Sequence, residues 1–293
     1  MTREDSWNAG EVRRFGALII GDEILSGKRQ DKHLVQLIDM LADRGLRLTW
    51  ARYLGDDQEQ LVDALEQSLA SADVVFCFGG IGATPDDLTR QAAAQALGRP
   101  LLLHPEAARL IAQRCADMAR EGKGSADMTT PENRQRLKMG EFPEGAAIIP
   151  NSFNRIPGFN VEHHWFMPGF PVMAWPMVQW ILDTHYRHLF HLGEQIDRSL
   201  RIFDTAESVV TPLLEAIEAA FAGVKVYSGL SAELLEGGTM RVVWEDSATS
   251  EAQVSTSDMN EVVRQLSAAT SRSLDELTQS LAAEIRNAPP PAP

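Results

Sequence analysis

Three glycines within four positions, Gly79, Gly80 and Gly82, run into Thr84-Pro85-Asp86-Asp87, so flexible backbone and two carboxylates share one short segment. Glycine adopts left-handed conformations and lets a chain approach an anion closely. Backbone N–H groups at a strand-to-helix turn are ready partners for phosphate oxygens, and the Thr84 hydroxyl is a further donor. Carboxylates belong beside phosphates when a hard cation lies between them, as Mg²⁺ is commonly held by one or two carboxylates plus ligand phosphates. The segment therefore reads as a phosphate cradle with a divalent metal. The four residues from Thr84 to Asp87 equally fit a helix start, with Thr as N-cap, Pro at the first helical position and an acid at the third. Capping leaves the glycines unexplained.

Two more acidic pairs follow glycines. Asp22-Glu23 stands between Gly21 and Gly27, and Asp56-Asp57 follows Gly55. If each pair succeeds a strand, all three reach the same carboxyl edge of a sheet, where open α/β proteins bind ligands. For Asp22-Glu23 the alternative is a solvated turn, and for Asp56-Asp57 a helix cap ahead of Gln58.

The elements needed to position these groups are legible in the hydrophobic pattern. Residues 16–20, 46–54 and 73–78 read as strands, and 31–44, 58–70 and 88–97 as helices, the first closed by Gly45. Right-handed crossovers turn this βαβαβ order into a parallel sheet covered on both faces. Helices are predicted at 106–120 and 132–139, a hairpin-like region at 148–166 and a closing helix at 172–186. The fold class is α/β, a three-layer sandwich around a mostly parallel sheet. A linker near 191–197 separates a domain over 15–190 from a small α+β domain over 195–287. Its predicted strands are 200–203, 224–227 and 240–244, with helices at 207–221 and 257–287. Residues 1–14 are predicted to be flexible and the proline-rich 288–293 disordered.

Composition narrows the partners. With 27 basic and 41 acidic residues among 293, the formal net charge is −14, which argues against nucleic acid and anionic membranes. No signal-peptide core or membrane-length apolar segment is present in the sequence, and the two cysteines, Cys77 and Cys115, read as core residues of a reducing, cytoplasmic compartment.

The motifs in order resemble the molybdopterin-binding (molybdenum cofactor biosynthesis) domain superfamily, and within it the amino-terminal region of the competence/damage-inducible protein A (CinA) family. The matching residues are Gly21-Asp22-Glu23-Ile24-Leu25-Ser26-Gly27, Gly55-Asp56-Asp57 and the run from Gly79 to Arg90. Matches to the CinA branch follow at Pro131-Glu132-Asn133-Arg134-Gln135, Pro143-Glu144-Gly145-Ala146, Pro157-Gly158-Phe159 and Met167-Pro168-Gly169-Phe170-Pro171. The resemblance implies Asp87 as the catalytic or metal-binding acid, supported by Asp57, with Asp22 and Glu23 as further metal ligands. It places the ligand against Gly79, Gly80, Gly82 and Thr84, with Pro168 and Gly169 forming a pocket wall.

The chain departs from that pattern twice. Asp31-Lys32-His33 replaces an Asn-Thr-Asn-type segment, and Asn154-Arg155-Ile156 replaces a Gly-Thr-Ala-type run. Lys28, Arg29, Lys32 and Arg155 are the cations available to meet a phosphate there, or else ordinary surface charges. Nothing follows the small domain that matches the further carboxyl-terminal domain of full-length CinA proteins, so its nicotinamide mononucleotide deamidation is expected to be absent.

Three functions compete on this reading. The first is a metal-dependent pyrophosphatase acting on a nucleoside diphosphate compound such as ADP-ribose or FAD. The second is molybdopterin binding with adenylyl transfer, and the third is non-catalytic binding of a nucleotide or pterin. The resemblance also implies a homodimer.

Overall fold

The alternating apolar runs of the sequence become a layered sheet whose two faces bury separate cores. The computed structural model of the chain describes residues 14–192, the strand segments 198–202, 227–230, 240–244 and 251–254, and residues Thr211 and Glu215. Strand β1 (Phe15–Ile20) is buried at every position and pairs in parallel with β2 (Leu48–Leu54) and β3 (Val74–Phe78). Continuous apolar strands of this kind belong at the centre of a parallel sheet covered on both sides. Gly16 is required where β1 passes β2, because a Cβ there would collide with the Trp50 ring.

Successive side chains of β1 point to opposite faces. Phe15, Ala17 and Ile19 join Phe76 and Phe78 of β3 in one core, with Leu37 and Leu41 of α2 (His33–Ala42) and Met177, Val178 and Ile181 of α7 (Pro171–His185). Leu18 and Ile20 face the other way with Val75 and Cys77, against Leu61 and Leu65 of α3 (Gln58–Leu69) and Ala92 and Ala93 of α4 (Thr89–Ala96). This is the expected three-layer α/β sandwich.

The region predicted to be hairpin-like forms three strands, β6 (Ala147–Ile149), β7 (Gly158–Val161) and β8 (His164–Met167). Pairing is antiparallel from β6 to β7 and from β7 to β8, but β8 lies parallel to β3. The six-stranded order is β2-β1-β3-β8-β7-β6. The predicted strand 46–54 begins at Leu48, and the helix predicted at 31–44 starts at His33, where Asp31 accepts the N–H groups of His33 and Leu34 at 2.8 and 3.1 Å. The four-residue helix α1 (Asp22–Leu25) and the two-stranded pairing of β4 (Leu101–Leu103) with β5 (Glu141–Pro143) were not foreseen. Helices α5 (Pro105–Arg120) and α6 (Pro131–Leu137) match the predicted 106–120 and 132–139 closely.

The chain divides into two units, 1–191 and 192–293. Within the second, β9 (Arg198–Ile202), β10 (Tyr227–Leu230), β11 (Met240–Trp244) and β12 (Glu251–Val254) form a sheet in the order β10-β11-β9-β12. Of the strand predicted at 224–227, residues 224–226 lie outside the described residues and Tyr227 opens β10, while β12 is an addition to the predicted elements. The predicted helices 207–221 and 257–287, the segment 1–13 and the tail 288–293 lie outside the described residues, apart from Thr211 and Glu215. Cys77 and Cys115 are buried free thiols. Among the described residues no helix is long and apolar enough to cross a membrane.

Candidate functional site

Parallel neighbours end on the same edge of a sheet, so the loops after β1, β3 and β8 come together. They enclose a cleft of about 430 Å³ that includes the backbone from Gly79 to Thr84, the acids Glu23, Asp56, Asp86 and Asp87, and the wall residues Asn154, Pro168, Gly169 and Phe170.

Each loop glycine answers a different local demand. Gly79 has φ +103° and donates its N–H to Met167 O at 2.9 Å, and a Cβ there would collide with the Ile20 carbonyl. Gly80 has φ +66°, and a Cβ would run into Thr89 Oγ1. At Gly82 the space is taken by the Asp87 carboxylate. Thr89 holds the loop from the start of α4, donating from Oγ1 to Gly79 O at 3.1 Å and from its backbone N–H to Gly80 O at 3.0 Å. Among the described residues the N–H groups of Gly80, Ile81, Gly82 and Ala83 have no hydrogen-bond acceptor, although all four residues line the cleft.

Neither sequence reading of Thr84-Pro85-Asp86-Asp87 describes its geometry fully. Helix α4 begins only at Thr89, so Thr84 is not its N-cap and Pro85 is not its first residue. Instead the Thr84 N–H and hydroxyl both donate to Asp87 Oδ2, at 2.8 and 2.5 Å, while the Asp87 N–H donates back to Thr84 O at 3.1 Å. The hydroxyl is thereby turned to Asp87, and Thr84 orients that carboxylate.

The acidic pairs also separate. Asp57 is the N-cap of α3, accepting the Gln60 N–H at 2.9 Å, and it does not line the cleft, while its neighbour Asp56 does. The capping alternative thus holds for Asp57, whose assignment as a supporting catalytic acid has no geometry behind it. Asp22 and Asp56 exchange bonds: Asp22 N–H donates to Asp56 Oδ2 at 2.9 Å and Asp56 N–H to Asp22 Oδ1 at 3.2 Å. Burial raises the Asp56 carboxyl above its ordinary pKa against the effect of the Asp22 N–H, and the charges of Asp22, Glu23 and Asp86 add to the rise. Glu23 lies 3.6 Å from the Arg29 guanidinium. Asp22, Glu23 and Asp87 therefore do not converge as one metal-ligand set, because each already faces a different partner. Among the described residues no group of three or more His, Cys, Asp or Glu is arranged to hold a metal ion. A cation held by one or two carboxylates together with ligand oxygens requires no such group.

The departures from the family pattern lie in different places. Lys32 lines a second cavity of about 360 Å³, not the glycine cleft. Arg155 turns to Asp117 at 3.1 Å with φ +66°, so its charge is engaged away from the cleft. Arg29 lines both cavities and donates to Gly169 O at 3.1 Å, and His33 Nε2 donates to the same oxygen at 3.2 Å.

Sequence pattern assigns no role to Arg90 or Gln135, although both fall within the motifs shared with the family. Arg90 is 3% exposed and donates to the carbonyls of Gly82, Lys138 and Glu141, and Gln135 donates to Ala83 O. The available signal was an arginine inside the otherwise small-residue helix Thr89-Arg90-Gln91-Ala92-Ala93-Ala94, a place where surface charge is out of keeping.

Known proteins share part of this sequence. A CinA-like protein of Anaeromyxobacter sp. (strain Fw109-5) is 35% identical over 197 residues, covering 65% of this chain and 45% of that protein. A CinA-like protein of Syntrophotalea carbinolica is 30% identical over 215 residues, covering 70% and 50%. The chain thus spans about half the length of the curated relatives it matches. Among solved structures, the protein CinA of unknown function from Thermoplasma acidophilum aligns at 25% identity with TM-score 0.49, covering 58% of this chain and 96% of that one. The molybdopterin biosynthesis enzyme MoaB from Thermus thermophilus aligns at 18% identity with TM-score 0.36, covering 60% and 95%. The family model described as "Probable molybdopterin binding domain" matches residues 16–188, and the chain belongs to that family, with CinA-like proteins among its relatives.

Proposed function

We propose that the glycine cleft binds the phosphate groups of a nucleotide or pterin compound and, with a divalent cation, hydrolyses a nucleoside diphosphate linkage. The observation that carries this reading is the row of N–H groups from Gly80 to Ala83, without an acceptor among the described residues, in a loop that lines the same cleft as Asp56 and Asp87. Backbone donors of this kind are preorganised for charge on non-bridging phosphate oxygens. A bound cation, which we take to be Mg²⁺, would neutralise the bridging phosphates and lower the pKa of an attacking water.

Asp87 is the acid best supported for catalysis. Both of its recorded bonds from Thr84 fall on Oδ2, which leaves Oδ1 to face a cation or orient a water. Asp56 is the second candidate, since a carboxyl crowded by Asp22, Glu23 and Asp86 gains from a cation beside it. Gly79, Gly80 and Gly82 keep the loop open to the phosphates, and Pro168 and Gly169 wall the ligand in. Asp22 and Glu23 act through their neighbours, Asp22 on Asp56 and Glu23 on Arg29.

Molybdopterin binding with adenylyl transfer is the second reading, favoured by the description of the family itself. A phosphate- and adenylate-release screen of ADP-ribose, of FAD, and of ATP with molybdopterin, each with and without Mg²⁺, decides between them. Metal-dependent AMP release from ADP-ribose or FAD supports hydrolysis, and ATP consumption only with molybdopterin supports the transferase. Binding without turnover of any of these makes the cleft a sensor. The homodimer belongs to this proposal too, and light scattering on the intact chain showing a monomer at micromolar concentration removes it.

A further inference from the structure

Gln135 and Ala83 are 52 residues apart in the chain, yet the Gln135 side chain donates from Nε2 to Ala83 O at 2.5 Å. A carbonyl only accepts, so the amide must present its nitrogen here. The bond brings the motif Pro131-Glu132-Asn133-Arg134-Gln135 up against the glycine loop.

Helix α6 divides the work of that motif between its two sides. Its N-cap is Thr130, whose Oγ1 accepts the Asn133 N–H at 3.3 Å, and Pro131 stands at its start. Asn133 is 1% exposed and donates from Nδ2 to Ser125 O and Asp127 O at 2.8 and 2.9 Å, which pins the helix to the loop before it. Gln135 lies two residues on, about 200° round the helix, and is free to reach outward. A second attachment follows directly after α6, where Lys138 O accepts Arg90 Nη1 while Nη2 of the same guanidinium holds Gly82 O at 2.6 Å. Successive loop carbonyls are therefore held by Arg90 and Gln135, neither of which lines the cleft.

A planar trans peptide points its C=O and its N–H in opposite directions. Holding Gly82 O and Ala83 O thus also fixes where the next N–H groups point. That of Ala83 has no acceptor among the described residues and belongs to a residue lining the cleft, and that of Thr84 donates to Asp87 Oδ2 at 2.8 Å. One peptide consequently links Gln135 to Asp87, with the amide donating to its carbonyl and its N–H donating to the carboxylate. Bonds in such a series polarise and strengthen one another.

We infer that Gln135 is a positioning residue of the glycine cleft: through the Ala83–Thr84 peptide it sets the Asp87 carboxylate, and with Arg90 it keeps the Ala83 N–H turned to a bound phosphate. The inference rests on the phosphate-cradle reading above and adds α6 to it. Gln135 is exposed, and surface substitutions of this kind change stability little, so its effect falls on binding rather than on the fold.

The test is calorimetric titration of the full chain with inorganic pyrophosphate in Mg²⁺, comparing the native protein with Gln135→Met, which is similar in length but has no donor. Affinity is expected to fall at least about threefold while the melting temperature is unchanged. In ¹H–¹⁵N spectra of the free protein the Thr84 amide signal is expected to move, because its peptide loses the bond at the carbonyl. Gln135→Lys keeps a donor long enough to reach Ala83 O and should restore the affinity and the Thr84 signal together. Native affinity in Gln135→Met overturns the inference, as does lost affinity with an unmoved Thr84 signal, since the effect would not pass through that peptide. Affinity and melting temperature falling together would assign Gln135 to the fold instead. A native chain that binds pyrophosphate beside an indifferent Gln135→Met leaves the phosphate cradle standing and removes Gln135 alone, whereas a native chain that binds none removes both.

Discussion

Arg90 donates from Nη2 to the carbonyl oxygen of Gly82 at 2.6 Å, tying the first turn of α4 to the loop that precedes it. Its Nη1 reaches the carbonyls of Lys138 and Glu141, so one buried guanidinium joins the glycine loop to the strand β5 and the turn before it. Burial pulls its pKa below the ordinary arginine value, countered by the charges of Glu141 and Asp87.

Arg90→Met is therefore expected to destabilise the protein by about 2–4 kcal/mol, since three partly buried hydrogen bonds lose their charged donor. Arg90→Lys should recover only part of this, because an ammonium cannot reproduce the planar fork. Urea unfolding measures both. Full stability of Arg90→Met would show that the bonds to Gly82 and β5 hold nothing.

Asp56 and Asp57 are neighbours with separate duties, and substitution should divide them. Asp57→Ala is expected to lower stability by about 1 kcal/mol through loss of the α3 cap while leaving pyrophosphate affinity unchanged. Asp87→Asn and Asp56→Asn should keep the fold and lose at least about tenfold in Mg²⁺-dependent affinity or turnover, corresponding to about 1.4 kcal/mol. Asp86→Asn should do less than Asp87→Asn. A larger functional loss at Asp57 than at Asp87 would reverse the assignment.

Gly80→Ala combines a left-handed backbone with a collision at Thr89 Oγ1. Strain of this kind costs about 1–3 kcal/mol, and here it also displaces N–H groups that line the cleft. Thermal melts and pyrophosphate titration should worsen together. A stable Gly80→Ala protein with unchanged pyrophosphate affinity would remove the loop from the binding site.

His164 supplies a test of pH dependence away from the cleft. It is buried, with Nε2 2.8 Å from Ser68 Oγ, and burial, helped by the neighbouring charge of His163, pushes its pKa down from 6.5 to about 4. Above pH 6.5 the group is neutral whether folded or unfolded and adds no slope. As pH falls from 6.5 towards 4, the unfolded chain takes up a proton that the folded one refuses, and stability is lost by up to about 3 kcal/mol. His33, also lowered mainly by burial, acts in the same direction. His164→Gln should flatten the acid limb of unfolding free energy against pH, leaving the His33 contribution. An unchanged limb would mean that His164 titrates normally in the folded state.

Local pattern was enough for the layers of this protein and for the sheet edge at which its glycine loop and acidic pairs gather. Strands such as Asp73-Val74-Val75-Phe76-Cys77-Phe78 are apolar on both faces and are followed by helical periodicity, and that combination leaves a covered parallel sheet as the fold. Parallel strands end together, so the glycine run after β3 and the acids after β1 and β2 had to reach one edge. Tertiary structure decided which side chains at that edge face the cleft. Asp56 and Asp57 differ only in where α3 begins, and Thr84 turns to Asp87 because α4 starts four residues later than the capping pattern implied. Arg29 and Gly169 are 140 residues apart and meet only because β8 is placed beside β3. Periodicity reports a residue's own element, whereas a hydrogen-bond partner is chosen by strand order and helix entry, which depend on contacts distant in the chain.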